Sequence, residues 1–310
     1  MDMKLRILTT AILATVDAAL LPAADPQLLN LVMPDAKVIA GVNVDQAKTS
    51  PFGQYLLVQL QAQDQHLQEF ITKTGFDPTR DLNELLIASN SSQPHSTGLT
   101  VARGTFNTAK INAAAQSDGA VSETYKGVTI LEDAKHGGGF AFLSSTLAVA
   151  GDIASVKGAI DRQTVPAPLP AALLVQVNQL SAIEDAWGIS DVPPPPFTVP
   201  GNNPSAPNLS NVLQNIQQAN GGVKFGSQVA ITAELTANTA QNATALASVL
   251  QFLVNMAQLQ SQPDANLLKS TSITTKGTVV DVSLNVPEAE AEALFQIKPK
   301  AHTAQPRARR

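Results

Sequence analysis

Residues 278–286 read TVVDVSLNV, and the alternation within them decides the fold class. Val280, Val282, Leu284 and Val286 point one way, and Asp281, Ser283 and Asn285 point the other. That is the period of a strand with one buried and one wet face. A Lys276-Gly277 turn joins it to a strand expected over 267–274. Val229, Ile231, Ala233 and Leu235 alternate with Ala230, Thr232 and Glu234 in the same way. One-sided strands belong to antiparallel sheets, so the expectation is an α+β protein rather than a doubly wound parallel sheet.

Working outward, helices fall between such strands. Residues 239–259 set Ala243, Leu246, Leu250, Leu253, Val254 and Ala257 on one face. Pro287 opens a last helix through Leu294 and Phe295. Nearer the start, residues 37–44 alternate as a strand, and Ser50-Pro51 begins a helix carrying Phe52, Leu56, Leu60, Leu67, Phe70 and Ile71 on one side. Gly75 suits its C-terminal turn. Strands are expected near 84–89, 97–103, 127–131, 140–143 and 147–151. Asn107 and Asp152 are placed to cap helices running to about Ser117 and Arg162. Residues 173–177 read as a short apolar strand leading into a helix, much as 37–44 do.

Prolines divide the chain. One break covers 165–170, and a denser one runs from 191 to 207 with four consecutive prolines at 193–196. Two tandem lobes with antiparallel sheets and packed helices follow, one over 34–163 and one over 171–298, the second holding 191–207 as a Pro-rich excursion. A split β-α-β-β-α-β (ferredoxin-like) arrangement in each lobe fits this order, and the repeated pattern points to a duplication.

The N-terminus reads as a secretory signal over 1–24. Lys4 and Arg6 precede an apolar run from Ile7 to Val16, and small residues follow Asp17. Cleavage after Ala18, Ala19, Ala23 or Ala24 suits that pattern. The run is shorter than the about twenty apolar residues of a membrane span, and an amphipathic helix continuing toward Leu31 is the competing reading. No transmembrane segment is expected after cleavage, so the location expected is periplasmic or extracellular.

Composition narrows the chemistry. The chain has 310 residues, 44% hydrophobic and 15% charged, so a sizeable core is within reach. It has no cysteine, which excludes disulfides, thiolate metal sites and cysteine nucleophiles. Residues 299–310 read as a basic disordered tail, with Arg307, Arg309 and Arg310 following Lys298 and Lys300. The body over 25–297 carries 13 basic and 23 acidic residues, and no basic face is left for nucleic acid.

The candidate chemical groups each have a plainer alternative. His66 and Glu69 share a helix face near Asp64, a pattern that a solvated face explains; His95, His136 and His302 stand far apart, and no zinc signature occurs. Gly137-Gly138-Gly139 leads into a strand, not into the helix that a phosphate loop requires. Ser144, Ser145 and Ser190 belong to no nucleophile motif. Asp77, Arg80 and Asp81 read as the brace of a helix exit. Glu184 and Asp185 read as helix carboxylates facing different ways, beside the sole tryptophan, Trp187, placed where the lobes meet. No catalytic residue, cofactor or metal site is assigned.

The stretch from Pro34 through Gly41, Ser50-Pro51-Phe52-Gly53, Gly75-Phe76-Asp77, Gly151-Asp152 and Asp185-Ala186-Trp187 resembles a group of uncharacterised exported bacterial proteins along most of the mature chain. The resemblance implies a periplasmic or secreted location and no known activity. The expected function is that of a non-enzymatic binding or scaffold protein, its partner an unknown protein or envelope component, using an open sheet face or the inter-lobe cleft. The alternative is an envelope-polymer hydrolase with carboxylates from both lobes; a third reading is a surface protein held by its basic tail.

Overall fold

A computed structural model describes residues 24–63, 65–91, 97–133, 137–193, 212–260 and 267–294. Residues 1–23 of the expected leader, most of the Pro-rich excursion and the basic tail lie outside the described residues, as do His95, His136 and His302. The chain is α+β with an antiparallel sheet, as the alternation indicates.

The first half runs α1 (Pro26–Leu29), β1 (Val38–Asn43), α2 (Val44–Thr49), α3 (Pro51–Gln63), α4 (Gln65–Thr74), α5 (Pro78–Asp81), β2 (Leu82–Ser89), β3 (Gly98–Gly104), α6 (Thr108–Ser117), β4 (Val121–Tyr125), β5 (Val128–Asp133), β6 (Gly138–Phe142), β7 (Leu147–Asp152) and α7 (Ile153–Arg162). The second half follows as α8 (Ala171–Ile183), β8 (Ala186–Ser190), β9 (Ile216–Lys224), β10 (Gln228–Ala237), α9 (Ala240–Gln260), a short 3-10 turn (Leu267–Ser270), β11 (Ser272–Lys276), β12 (Val279–Pro287) and α10 (Glu288–Leu294).

The described strands form one sheet of twelve, ordered β11-β12-β10-β9-β8-β1-β2-β3-β7-β6-β5-β4. Every pair in it is antiparallel, and the strands of both halves share the one sheet. The lobes meet strand to strand, β1 on β8, with Gly41 opposite Trp187. A Cβ at Gly41 would come within 2.5 Å of the Trp187 ring, so this crossing of the halves has no room for a side chain. The connections still repeat about the β1–β8 pair. In each half a strand and an excursion lead to a hairpin, then to a helix and a meander whose last strand returns beside the hairpin.

The apolar segment at 173–177 lies in helix α8, not in a strand, because Leu173 and Val177, one turn apart, bury into the same core. Glu184 ends that helix, and Asp185 leads into β8 rather than lying on a helix. The expected strand at 267–274 begins only at Ser272. The caps are as read: Asn107 accepts from Lys110 N, Asp152 from Ser155 N, and Ser50 Oγ from Gly53 N.

One face of the first half holds the main core. Ile39, Leu86, Leu99, Val101, Ile130 and Val149 pack there beneath α1, α7 and α8, together with Trp187 and Ile189 of β8. On the opposite face, α9 covers β10 and β12 through Ala243, Leu246 and Val280. On that side, too, Phe52 of α3 crosses to the second half and packs on Val229, Val286 and Ala291.

Candidate functional site

The site that stands out lies on the first half, on the face opposite the main core. Strands β3 and β7 turn Thr100, Ala102, Ala148 and Ala150 toward this side, while their Val101 and Val149 enter the core. The three alanines among them leave space that larger side chains would fill. Over them stand α4 with Phe70 and α6 with Ile111, and beside them in the same sheet rise Phe140 and Phe142 of β6. This pocket, open to solvent on one side, has a volume of about 370 Å³, and its lining is apolar apart from Thr100. That size lies within the roughly 300–1,000 Å³ of small-molecule pockets.

Five of the ten phenylalanines line the wall as a chain of ring contacts. Phe70 meets Phe76 edge-on at 6.0 Å, Phe76 stacks on Phe106 at 5.4 Å, Phe106 lies 5.3 Å from Phe142, and Phe142 meets Phe140 at 5.7 Å. Such pairs contribute about 0.5–1.5 kcal/mol each beyond area burial, so the wall is held by itself and not only by what it encloses.

The turn after α4 sets the wall's position. Gly75 has φ +72°, the left-handed conformation that releases the chain from a helix, and its N–H donates to Ile71 O at 2.7 Å. Asp77 caps α5 by accepting from Thr79 N, and Asp77 N donates to Asp81 Oδ2 at 2.8 Å. Arg80 donates through Nε and Nη2 to Asp81 and through Nη2 to Gly75 O. The Arg80 guanidinium holds the Asp81 carboxyl below its ordinary range. Asp77, Arg80 and Asp81 therefore fix Phe76 in the wall, the bracing role read from the sequence. Gly104 crosses beneath this turn so closely that a Cβ would stand 2.3 Å from Asp81 O. At the C-terminal ends of the two covering helices, Lys73 of α4 pairs with Asp118 after α6 at 2.8 Å.

The other sequence candidates fall elsewhere. Asp185 is buried and structural: its Oδ1 accepts from Lys224 Nζ at 2.7 Å, its Oδ2 from Phe225 N at 2.6 Å, and its carbonyl from Asn43 N. Glu184 reaches the other way, over β9, into a polar cleft of the second half. His66 and Glu69 lie on α4, where Glu69 is exposed. Gly138 and Gly139 open β6, and no helix begins there. Ser144 bonds with Thr146 in a turn, and Ser190 Oγ donates to Val192 O. Among the described residues no group of three or more His, Asp or Glu is placed to hold a metal ion. No helix among them is long and apolar enough to cross a membrane.

No protein-family profile matches this chain, and no curated protein is similar to it. Its fold is similar to crystal structures of the Treponema protein TP0453. Crystal form III superposes with a TM-score of 0.56 at 11% identity, over 86% of this chain and 96% of that one. Crystal form I gives 0.50 at 12% identity, over 88% and 98%. At such identity the likeness is one of fold.

Proposed function

We propose that this chain is an exported, non-enzymatic binding protein that takes an apolar ligand into the cavity beneath α4 and α6. The observation that carries the reading is the cavity itself, about 370 Å³ lined almost wholly by carbon. An apolar molecule entering such a pocket gains free energy, because both its surface and the lining leave water and the lining atoms gain contacts. Few polar groups line the walls to orient a reacting atom, which favours holding over chemistry. Export rests on the basic and apolar N-terminal pattern, and the partner at the envelope is the source or recipient of the ligand.

Displacement of a fluorescent naphthalene-sulfonate probe tests this. The double variant Ala102→Leu, Ala148→Leu fills the floor, and probe affinity is expected to fall at least tenfold with the melting temperature kept or raised. Val175, an exposed residue of α8, supplies the control: Val175→Ser leaves affinity unchanged. Equal affinity in the filled variant would sink the proposal.

A further inference from the structure

The second half leaves one sheet face open. Its helices α9 and α10 lie on one side, and on the other side α8 covers only the centre, so beyond its end the polar positions of β10, β11 and β12 line a cleft of about 330 Å³. Three carboxylates line it: Glu184 from the end of α8, Glu234 of β10 and Asp281 of β12. Glu234 and Asp281 stand directly opposite each other across the strand pair, an arrangement that like charges disfavour. Glu234 accepts from Asn220 Nδ2 at 3.2 Å, and among the described residues the Asp281 carboxylate has no hydrogen-bond or ion-pair partner.

Glu184 is the decisive residue. It is 6% exposed, and its side chain crosses β9 above Gly222, where a Cβ would lie 2.5 Å from Glu184 Cγ. It thereby reaches Thr232 on β10, whose hydroxyl donates to Oε1 at 2.8 Å. Oε2 is left buried with no partner. A carboxylate oxygen in that condition lacks a donor and carries an unrelieved desolvation penalty.

We propose that this cleft binds an aliphatic polyamine, with ammonium groups on the carboxylates and methylene spacers on α8. Metal is the less suitable cation, since the three acids are not gathered closely enough to ligate one ion. Glu184 reaches in from the end of α8, while Glu234 and Asp281 sit on β10 and β12, neighbouring strands about 4.8 Å apart, and an extended cation with several charges matches that spread. The α8 wall supplies Leu180 and Ile183, the latter 56% exposed, as an apolar rail beside the acidic floor.

Isothermal titration of the full chain with spermidine at low salt tests the proposal, with calcium chloride as a second arm. Saturable one-site binding is expected, weakened at least tenfold by Glu184→Gln and likewise by the pair Glu234→Gln, Asp281→Asn. Glu290→Gln, an equal charge change on α10 across the sheet, leaves it unchanged. If Glu184→Gln does not fold, the pair decides alone. The proposal is overturned if spermidine does not saturate, if Glu290→Gln weakens it as much, or if calcium displaces it at equal concentration. Filling the apolar cavity leaves spermidine binding intact, so the two sites stand or fall separately.

Discussion

Phe76 sits between a glycine that ends one helix and an aspartate that starts the next. Both of those roles are local, which is why Gly75, Asp77, Arg80 and Asp81 are readable as a brace from sequence alone. The caps at Asn107 and Asp152 are legible for the same reason, since each acts within three residues of itself. Glu84 is different, because its surroundings come from afar. Burial pushes its carboxyl up, though Asp25 N donates to it at 3.1 Å and Arg103 lies near. A carboxyl raised in the folded state costs no stability below the unfolded value, about 4.3, and stability is lost as pH rises through the folded value. Glu84→Gln is therefore expected to raise the melting temperature at pH 8 and to leave it unchanged at pH 3.5. Thermal melts at the two pH values check this, and a lower melting temperature at pH 8 would contradict it.

Elements with a clean period were legible, and those without one were not. Strands β10 and β12 bury one side and wet the other, so their residues alternate. Strand β9 reads IQQANGGVK; its two glycines pack against neighbouring strands and Glu184, a demand that leaves no apolar period. The apolar run of α8 fits strand or helix equally until its partners are known. The N-terminal segment carries a prediction at this scale. Ala24, the last residue of the expected leader, is 4% exposed and donates from its N–H to Ser181 Oγ at 2.8 Å, inside the main core. Intact-mass analysis of exported protein is expected to give a mature start at Ala19, Leu20 or Ala24. A start at Asp25 would mean that this contact is dispensable, and an uncut chain would contradict export.

At the scale of the whole molecule, a repeated order of elements was legible, but the single sheet that both halves share was not. The β1–β8 pairing joins residues about 150 positions apart, and its sequence trace is only the space that Gly41 leaves for Trp187. The cavity was equally hidden: its floor is a set of alanines, which read as weak strand formers until both faces of the sheet are seen to be covered. Half of the phenylalanines falling between residues 70 and 142 was the available signal. The direct measurement is methyl NMR of the full chain titrated with a straight-chain alcohol. Saturable shifts are predicted at the methyls of Ala102, Ala148, Ala150 and Ile111, with none at Ala243 and Leu246 beneath α9. Shifts confined to the second half, or none at all, would contradict an apolar-ligand site beneath α4 and α6.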